Sequence, residues 1–260
     1  MACITLLSDF GLQDASVAIA KGILMQHAPA IPIVDISHEI TPFHTGQAAY
    51  LLASAYKKFP EGSFHAVLFD LFSEPVPRLA LCTCNGHYFL APDNGILPLA
   101  LAANINDSWL CFEMKKEHTF SDWLSATGAM ISSLQSKKVV NPDLPGLDLK
   151  VMADKSMPKF DGTVITCEVI HIDRYENVII NLTRDQFETW GGKRSFRLSF
   201  VGMEEIETIS ANYHDVREGF KLCRFNSNDY LEICINRGNA ASLFGLRLGG
   251  RLNDIKIIFE

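Results

Sequence analysis

Over residues 1–145 the chain alternates short apolar runs with stretches of helical spacing, and this alternation constrains the fold more than any other feature. Cys3–Ser8, Ile33–Ile36 and Phe64–Phe69 read as strands, and Arg78–Cys84 and His87–Ala91 as a pair closed by the hairpin turn Asn85-Gly86. Ala15–His27, Gly46–Lys58, Asn94–Ala103 and Asp122–Leu134 have helical patterns. Strands separated by helices of this length imply a mostly parallel sheet covered on both faces. Such sheets take their ligands beyond the carboxyl ends of the strands. Asp9, Asp35 and Asp70 all fall at or near such ends.

The texture then changes. Asn141-Pro142, Leu144-Pro145-Gly146, Met157-Pro158 and Asp161-Gly162 break every periodic pattern, so residues 146–162 read as a linker between a domain at 1–145 and a second at 163–260. The second is expected to be small and all-β, with strands at Val164–Ile172, Val178–Leu182, Ser195–Phe200, Leu231–Ile235 and Lys256–Phe259. Apolar residues at 48% and charged residues at 20% are the balance of a globular protein. A net charge of −7, with no basic run longer than Lys115-Lys116 or Lys137-Lys138, argues against a nucleic-acid partner. Apolar stretches fall short of the roughly 18–20 residues that span a bilayer, and the N-terminus lacks the basic flank of a signal peptide. The seven cysteines are scattered; only Cys82 and Cys84 lie close together, and no CxxC pair suggests zinc. Buried thiols in a reducing, cytoplasmic compartment are expected.

Four segments carry candidate chemistry. In Ser8-Asp9-Phe10-Gly11, followed by Asp14, a carboxylate where a strand meets a loop can accept both hydroxyls of a ribose. On the same residues, Asp9 can equally cap the helix beginning near Ala15 or turn the chain. Asp93-Asn94-Gly95 reads as a helix start with Asp93 as N-cap. Asp35 and His38 can be read as a metal or acid–base pair, but an isolated pair at a strand–loop junction fits a structural role better, since a metal needs three or four ligands. In Arg237-Gly238-Asn239-Ala240-Ala241-Ser242-Leu243, small residues around an Asn let a flat ring approach the backbone; a turn followed by a short helix fits as well.

Taken in order, these segments resemble the S-adenosyl-L-methionine hydroxide adenosyltransferase family, whose relatives include fluorinases and chlorinases. The resemblance runs from Ile4 to about Leu246. It adds Val34-Asp35-Ile36-Ser37-His38-Glu39-Ile40, Phe59-Pro60-Glu61-Gly62, Ile172-Asp173-Arg174-Tyr175-Glu176-Asn177-Val178 and Asn226-Ser227 to the segments above. It implies an α/β N-terminal domain, a β-barrel C-terminal domain and a homotrimer with its ligand between neighbouring subunits. S-adenosylmethionine is then the substrate, with no cofactor and no metal. By position, Asp9 matches the ribose carboxylate and Phe43 an aromatic contact. Ser16, Asp173 and Ser227 match residues around the methionine end and Tyr175, Asn177 and Ala240 the adenine-side pocket, with Asp14, Asn228 and Asn239 as further substrate-binding candidates.

The family's hydrolases share an Asp–Arg–His set. Asp70 stands where the Asp belongs, but the Gly-rich loop after it is replaced by Leu71-Phe72-Ser73-Glu74-Pro75-Val76-Pro77, and Arg78 comes one position late. Thr119-Phe120 is followed by Ser121-Asp122 rather than His-Gly-Arg, so His118 is the one histidine near that position; by residue type alone it reads as a solvated loop residue. Fluorinases carry Tyr in place of Asp70 and Arg in place of Asn228, and a carboxylate repels a bound halide. The resemblance therefore implies hydrolysis of S-adenosylmethionine to adenosine and methionine. The alternatives are an adenosyl-binding protein with impaired catalysis and a structural trimer with a drifted pocket.

Overall fold

The structure, a computed structural model, describes residues 1–101, 109–114, 118–136, 157–200, 204–249 and 255–260. The chain divides into two units, Met1–Met152 and Ala153–Glu260. Most of the expected linker, up to residue 156, lies outside the described residues.

The first unit runs β1 (Ile4–Ser8), α1 (Ser16–His27), β2 (Ile33–Ser37), α2 (Thr45–Tyr56), β3 (Phe64–Leu68), β4 (Arg78–Cys84), β5 (His87–Pro92), α3 (Ile96–Leu101), β6 (Trp109–Glu113) and α4 (Phe120–Gln135). Its strands form one six-stranded sheet in the order β2-β1-β3-β5-β4-β6. The sheet is mixed. β1 runs parallel to β2 and β3, and β3 to β5, while β4 is antiparallel to both β5 and β6. The cause is the tight turn: Asn85 (φ 49°) and Gly86 (φ 77°) both take the left-handed conformation that a two-residue hairpin demands, so the chain reverses with no crossover helix. β4 therefore runs opposite to the other five strands. The strand β6 was not anticipated in the sequence.

Alternate side chains of the central strands serve two different helix layers. Ile4, Leu6, Ala66 and Leu68 pack with Ala20 and Leu24 of α1 and Trp123, Leu124 and Ile131 of α4. Leu7, Val67 and Phe69 pack with Ala48, Leu52 and Tyr56 of α2 and Ile96 and Leu97 of α3. Burial on both faces is why these strands read as unbroken apolar runs. At Gly128 a Cβ atom would meet the His27 ring at 2.7 Å, so glycine is what lets α4 approach α1 so closely.

The second unit runs β7 (Lys159–Phe160), β8 (Val164–Cys167), β9 (Val169–Ile172), β10 (Val178–Thr183), α5 (Arg184–Gly191), β11 (Phe196–Phe200), β12 (Glu204–Ile206), β13 (Lys221–Phe225), β14 (Tyr230–Ile235), α6 (Ala240–Phe244) and β15 (Ile255–Phe259). The strands form two antiparallel sheets, β13-β14-β10-β9 and β12-β11-β15-β8-β7. The antiparallel sheets fit the expected β class, and the two short helices α5 and α6 accompany them; a reciprocal capping box of Thr183 and Gln186 starts α5. One expectation is corrected. The run Val164–Ile172 is two strands in different sheets, divided at Glu168, whose N–H donates to the Asn181 side chain at 2.9 Å.

Candidate active site

Five of the first unit's strands end on one edge of the sheet, and β4 begins there. Asp9 follows β1, His38 follows β2, Asp70 lies two residues past β3, and Asp93 and Asn94 follow β5. Arg78 opens β4. Topology alone thus gathers residues scattered between positions 8 and 94.

Asp9 does not cap α1: the N-cap is Ala15, without a side-chain bond, and the Asp9 carboxylate instead accepts the Asp70 N–H at 3.3 Å. Burial raises the Asp9 carboxyl above its ordinary value; the backbone hydrogen bonds work against that rise, and the nearby Asp70 charge adds to it. Asp70 itself adopts φ 51°, a left-handed conformation unusual for a residue with a Cβ. Two neighbours fix its loop: Ser73 Oγ donates to the Asp70 carbonyl at 3.1 Å, and Asn94 Nδ2 to the Phe69 carbonyl at 3.0 Å.

Asp93 is buried and does not start a helix. Its carboxylate pairs with the Arg78 guanidinium, while Asn94 Oδ1 accepts the first N–H of α3 at 3.3 Å. The Asp93-Asn94 dipeptide therefore ties together the start of β4, the start of α3 and the residue just before Asp70. His118 is not a solvated loop residue. Its ring is half-buried, stacked on Phe72 at 5.3 Å and edge-on to Trp123 at 6.1 Å. Phe72 belongs to the loop that Asp70 opens, so His118 is packed against that loop. Phe10 meets Phe120 edge-on at 5.2 Å, joining the Asp9 loop to the start of α4.

Around this edge, Asp14 accepts the Ser16 N–H at 2.8 Å, an arrangement that shapes the entry to α1 and lowers the Asp14 carboxyl. Phe43, in the loop between β2 and α2, is 80% exposed and held at φ 64°. An exposed aromatic ring on a strained backbone is a feature of ligand contacts more than of cores.

The second unit carries a cavity of about 460 Å³ lined by Arg174, Tyr175, Asn177, Tyr213, Arg237 and Asn239, among others. Asp173 builds its rim from within: Oδ1 accepts the N–H groups of Tyr175 and Asn177, each at 2.9 Å, and Oδ2 accepts the Asn177 amide. Glu176, at φ 60°, latches the opposite wall. Its carboxylate accepts the Asn239 amide at 3.0 Å and the Ser242 N–H at 2.9 Å, and its carbonyl accepts the Ala241 N–H. Those bonds hold the Glu176 carboxyl below its ordinary value. Ala240 is buried at the start of α6. Beneath, Tyr213 Oη donates to Glu232 at 2.9 Å, and Arg224 reaches the same carboxylate at 3.1 Å. Ser227 and Asn228 stand elsewhere, in the turn between β13 and β14, at the far end of that ladder from Ile235 and the cavity.

Sequence reasoning missed Glu176, Tyr213 and the linking role of Asp93. The Asp-x-x-Glu-Asn spacing at 173–177 contained the first as a turn residue. Tyr213 reaches the cavity only through tertiary structure. Among the described residues, no group of three or more His, Cys, Asp or Glu side chains could hold a metal ion, and no helix is long and apolar enough to cross a membrane.

The chain is 29% identical to an (R)-S-adenosyl-L-methionine hydrolase from Methanocaldococcus jannaschii, over 98% of this chain and 95% of that one. Its likeness to a fluorinase from an Actinoplanes species is 36% identity over 63 residues, 24% of this chain and 21% of the other. The crystal structure of an uncharacterized conserved protein from Thermotoga maritima superimposes with a TM-score of 0.77 at 25% identity, covering 98% of this chain and 99% of that one. Residues 4–140 match the SAM hydroxide adenosyltransferase N-terminal domain and residues 167–253 its C-terminal domain. Matched in both halves, with the carboxylates of its first unit gathered at one sheet edge, the chain belongs to the SAM hydroxide adenosyltransferase family.

Proposed function

We propose that the protein hydrolyses S-adenosyl-L-methionine to adenosine and L-methionine. The observation that carries this reading is the junction of Asp9 and Asp70 at the ends of adjacent strands, in a chain that aligns almost end to end with a named hydrolase. Asp9 accepts the ribose hydroxyls, the charge-assisted bonds repaying the burial that lifts its pKa. Water attacks C5′, the C5′–S bond breaks, and methionine leaves as a neutral thioether with the bonding pair. Asp70 holds the water and receives its proton. Arg78 acts through Asp93, which fixes the edge of the site, and His118 backs the Asp70 loop through Phe72. As Asp70 takes the proton of the attacking water, its negative charge and the positive charge of the sulfonium are both neutralised, so apolar surroundings such as the half-buried Phe10 ring favour reaction over a wet pocket. A carboxylate at position 70 favours water over a halide.

Tyr175, Asn177 and Asn239, which line the cavity, take the adenine side together with Ala240 at the start of α6, and the cavity has a volume ordinary for small-molecule sites. Ser16, Asp173 and Ser227 are assigned to the methionine side, Ser227 from the end of the β13–β14 ladder away from the cavity; Asp14 shapes the backbone at Ser16, and Asn228 stands beside Ser227. The reading includes a homotrimer whose site forms between subunits; it is supported by the carboxylate cluster and the cavity belonging to different units of one chain. It includes a barrel-like closure of the second unit, supported by the run β8–β9 that passes from one sheet to the other. A cytoplasmic setting is supported by seven cysteines that are all free and buried.

Purified protein incubated with S-adenosylmethionine is expected to release adenosine and methionine in equal amounts, followed by chromatography. Asp70→Asn is expected to cut turnover by about 100-fold or more while retaining adenosine binding. Release no faster than a buffer blank, with adenosine still raising the melting temperature, overturns the hydrolase in favour of a binding protein. No thermal shift with either compound points to the structural alternative.

A further inference from the structure

One residue grips both ends of the loop that carries Asp9. His38 Nδ1 meets Ser8 Oγ at 2.6 Å, and the His38 carbonyl accepts the Gly11 N–H at 2.8 Å. Asp9 and Phe10 form the arc between these two anchors. On its other side the imidazole meets Asp35 Oδ1 at 3.1 Å, and Asp35 Oδ2 takes Lys21 Nζ at 2.6 Å. Burial lifts the Asp35 carboxyl, but the hydrogen bonds from Lys21 and His38 outweigh it and leave the group below its ordinary value. Ser8 is fully buried and the His38 side chain is 3% exposed, so Ser8 is sealed off from any substrate.

The Asp35 carboxylate only accepts, so the Nε2 that faces it carries a proton, and Nδ1 and the Ser8 hydroxyl share another. The Ser8 oxygen also faces the Phe10 N–H, at 3.5 Å. A buried polar chain of this kind adds little net stability over an apolar replacement, but it fixes geometry.

We propose that His38 is a positioning residue: oriented by Asp35 and Lys21, it sets the Ser8–Gly11 arc so that the Asp9 carboxylate is aimed at the ribose hydroxyls. This rests on the reading of Asp9 as the ribose anchor. The strand–loop pair Asp35/His38 thus has a task beyond holding itself in place.

The test compares adenosine with 2′,3′-dideoxyadenosine, which lacks the hydroxyls, by titration calorimetry on the full chain. His38→Ala is expected to weaken adenosine binding about tenfold while leaving the dideoxy compound within about twofold of the parent. Asp35→Ala, at a part-exposed site that tolerates change, is expected to shift binding the same way by a smaller factor. Equal losses for both nucleosides mean general damage to the site and overturn the proposal. So does unchanged adenosine binding in His38→Ala or, where that variant does not fold, in a folded Asp35→Ala. Asp9→Asn separates the two readings. If it leaves the preference for adenosine intact, the ribose anchor itself is wrong; if it abolishes the preference while His38→Ala does not, only the role of His38 falls.

Discussion

At the scale of single residues, the site is built from side chains and backbones that the folded chain holds at some cost. Burial raises the Asp9 carboxyl above its ordinary value. A folded-state pKa above the unfolded one means the folded chain binds the proton more readily. Stability therefore falls as pH rises through the raised value, and the penalty is complete above it. Asp9→Asn removes the charge and can still accept the Asp70 N–H. It is expected to raise the Tm of the ligand-free chain by about 1–3 °C at pH 8, and by less at a pH below the raised value, while weakening adenosine binding. Differential scanning fluorimetry at two pH values reads this; a lower Tm at pH 8 contradicts it. Asp70 carries a different cost, in its left-handed backbone. Asp70→Gly relieves that strain but adds unfolded-state entropy, so the two are expected to cancel to within about 1 kcal/mol. Asp70→Ala keeps the strain and should be the less stable variant in urea, with turnover lost in both.

Among the elements, the loops carry what the strands only position. Glu176 shows this best, since one side chain joins the β9–β10 turn to the start of α6. Removing the carboxylate by Glu176→Ala leaves a left-handed residue without its latch, whereas Glu176→Gly at least fits the backbone. Both are expected to weaken adenosine binding by about threefold or more, and the Ala variant to show the lower urea midpoint. Equal midpoints would mean that φ at 176 relaxes when the latch goes. The same division decides how much was legible beforehand. Strands β1, β3, β4 and β5 were readable because burial on both faces leaves continuous apolar runs, and the Asn85-Gly86 turn announces its own conformation. Asp9 and Asp70 were readable because strand ends are where such sheets bind. Arg78 with Asp93, His118 on Phe72 and Tyr213 on Glu232 were not, because each contact joins residues whose separation in sequence carries no periodic signal. The same holds for α5, whose capping box was present as Thr183-x-x-Gln186 but lay inside a run of β-rich sequence.

For the molecule as a whole, the remaining lever is protonation. Thr5, His65 and His87 form a buried chain at the end of the sheet away from the carboxylates, with Thr5 Oγ1 to His65 Nδ1 at 2.7 Å and His65 Nε2 to His87 Nδ1 at 3.2 Å. Burial, reinforced by the charge of His87, pushes His65 down to about 3; burial also lowers His87 and, in the second unit, His171. Unfolded histidine titrates near 6.5. Between 6.5 and about 3 the unfolded chain therefore binds the proton that folded His65 refuses, and stability, complete above pH 6.5, declines as the pH falls. The slope from one such group reaches about 1.4 kcal/mol per pH unit. Carboxylates held below their ordinary values, such as Asp35 and Glu176, lose their contribution only at more acidic pH. Asp9 and Glu232, both raised by burial, oppose the histidines, because the folded chain takes up their protons first. The net slope thus mixes signs, and a difference between two chains isolates one group. His65→Leu keeps an apolar side chain in the same packing and removes the titration. Urea midpoints at pH 7.5 and 5 are expected to fall less far apart for His65→Leu than for the parent, whatever the variant's absolute stability. Equal separations would mean that His65 accepts its proton in the folded chain, with the Thr5–His65–His87 chain rearranging to receive it.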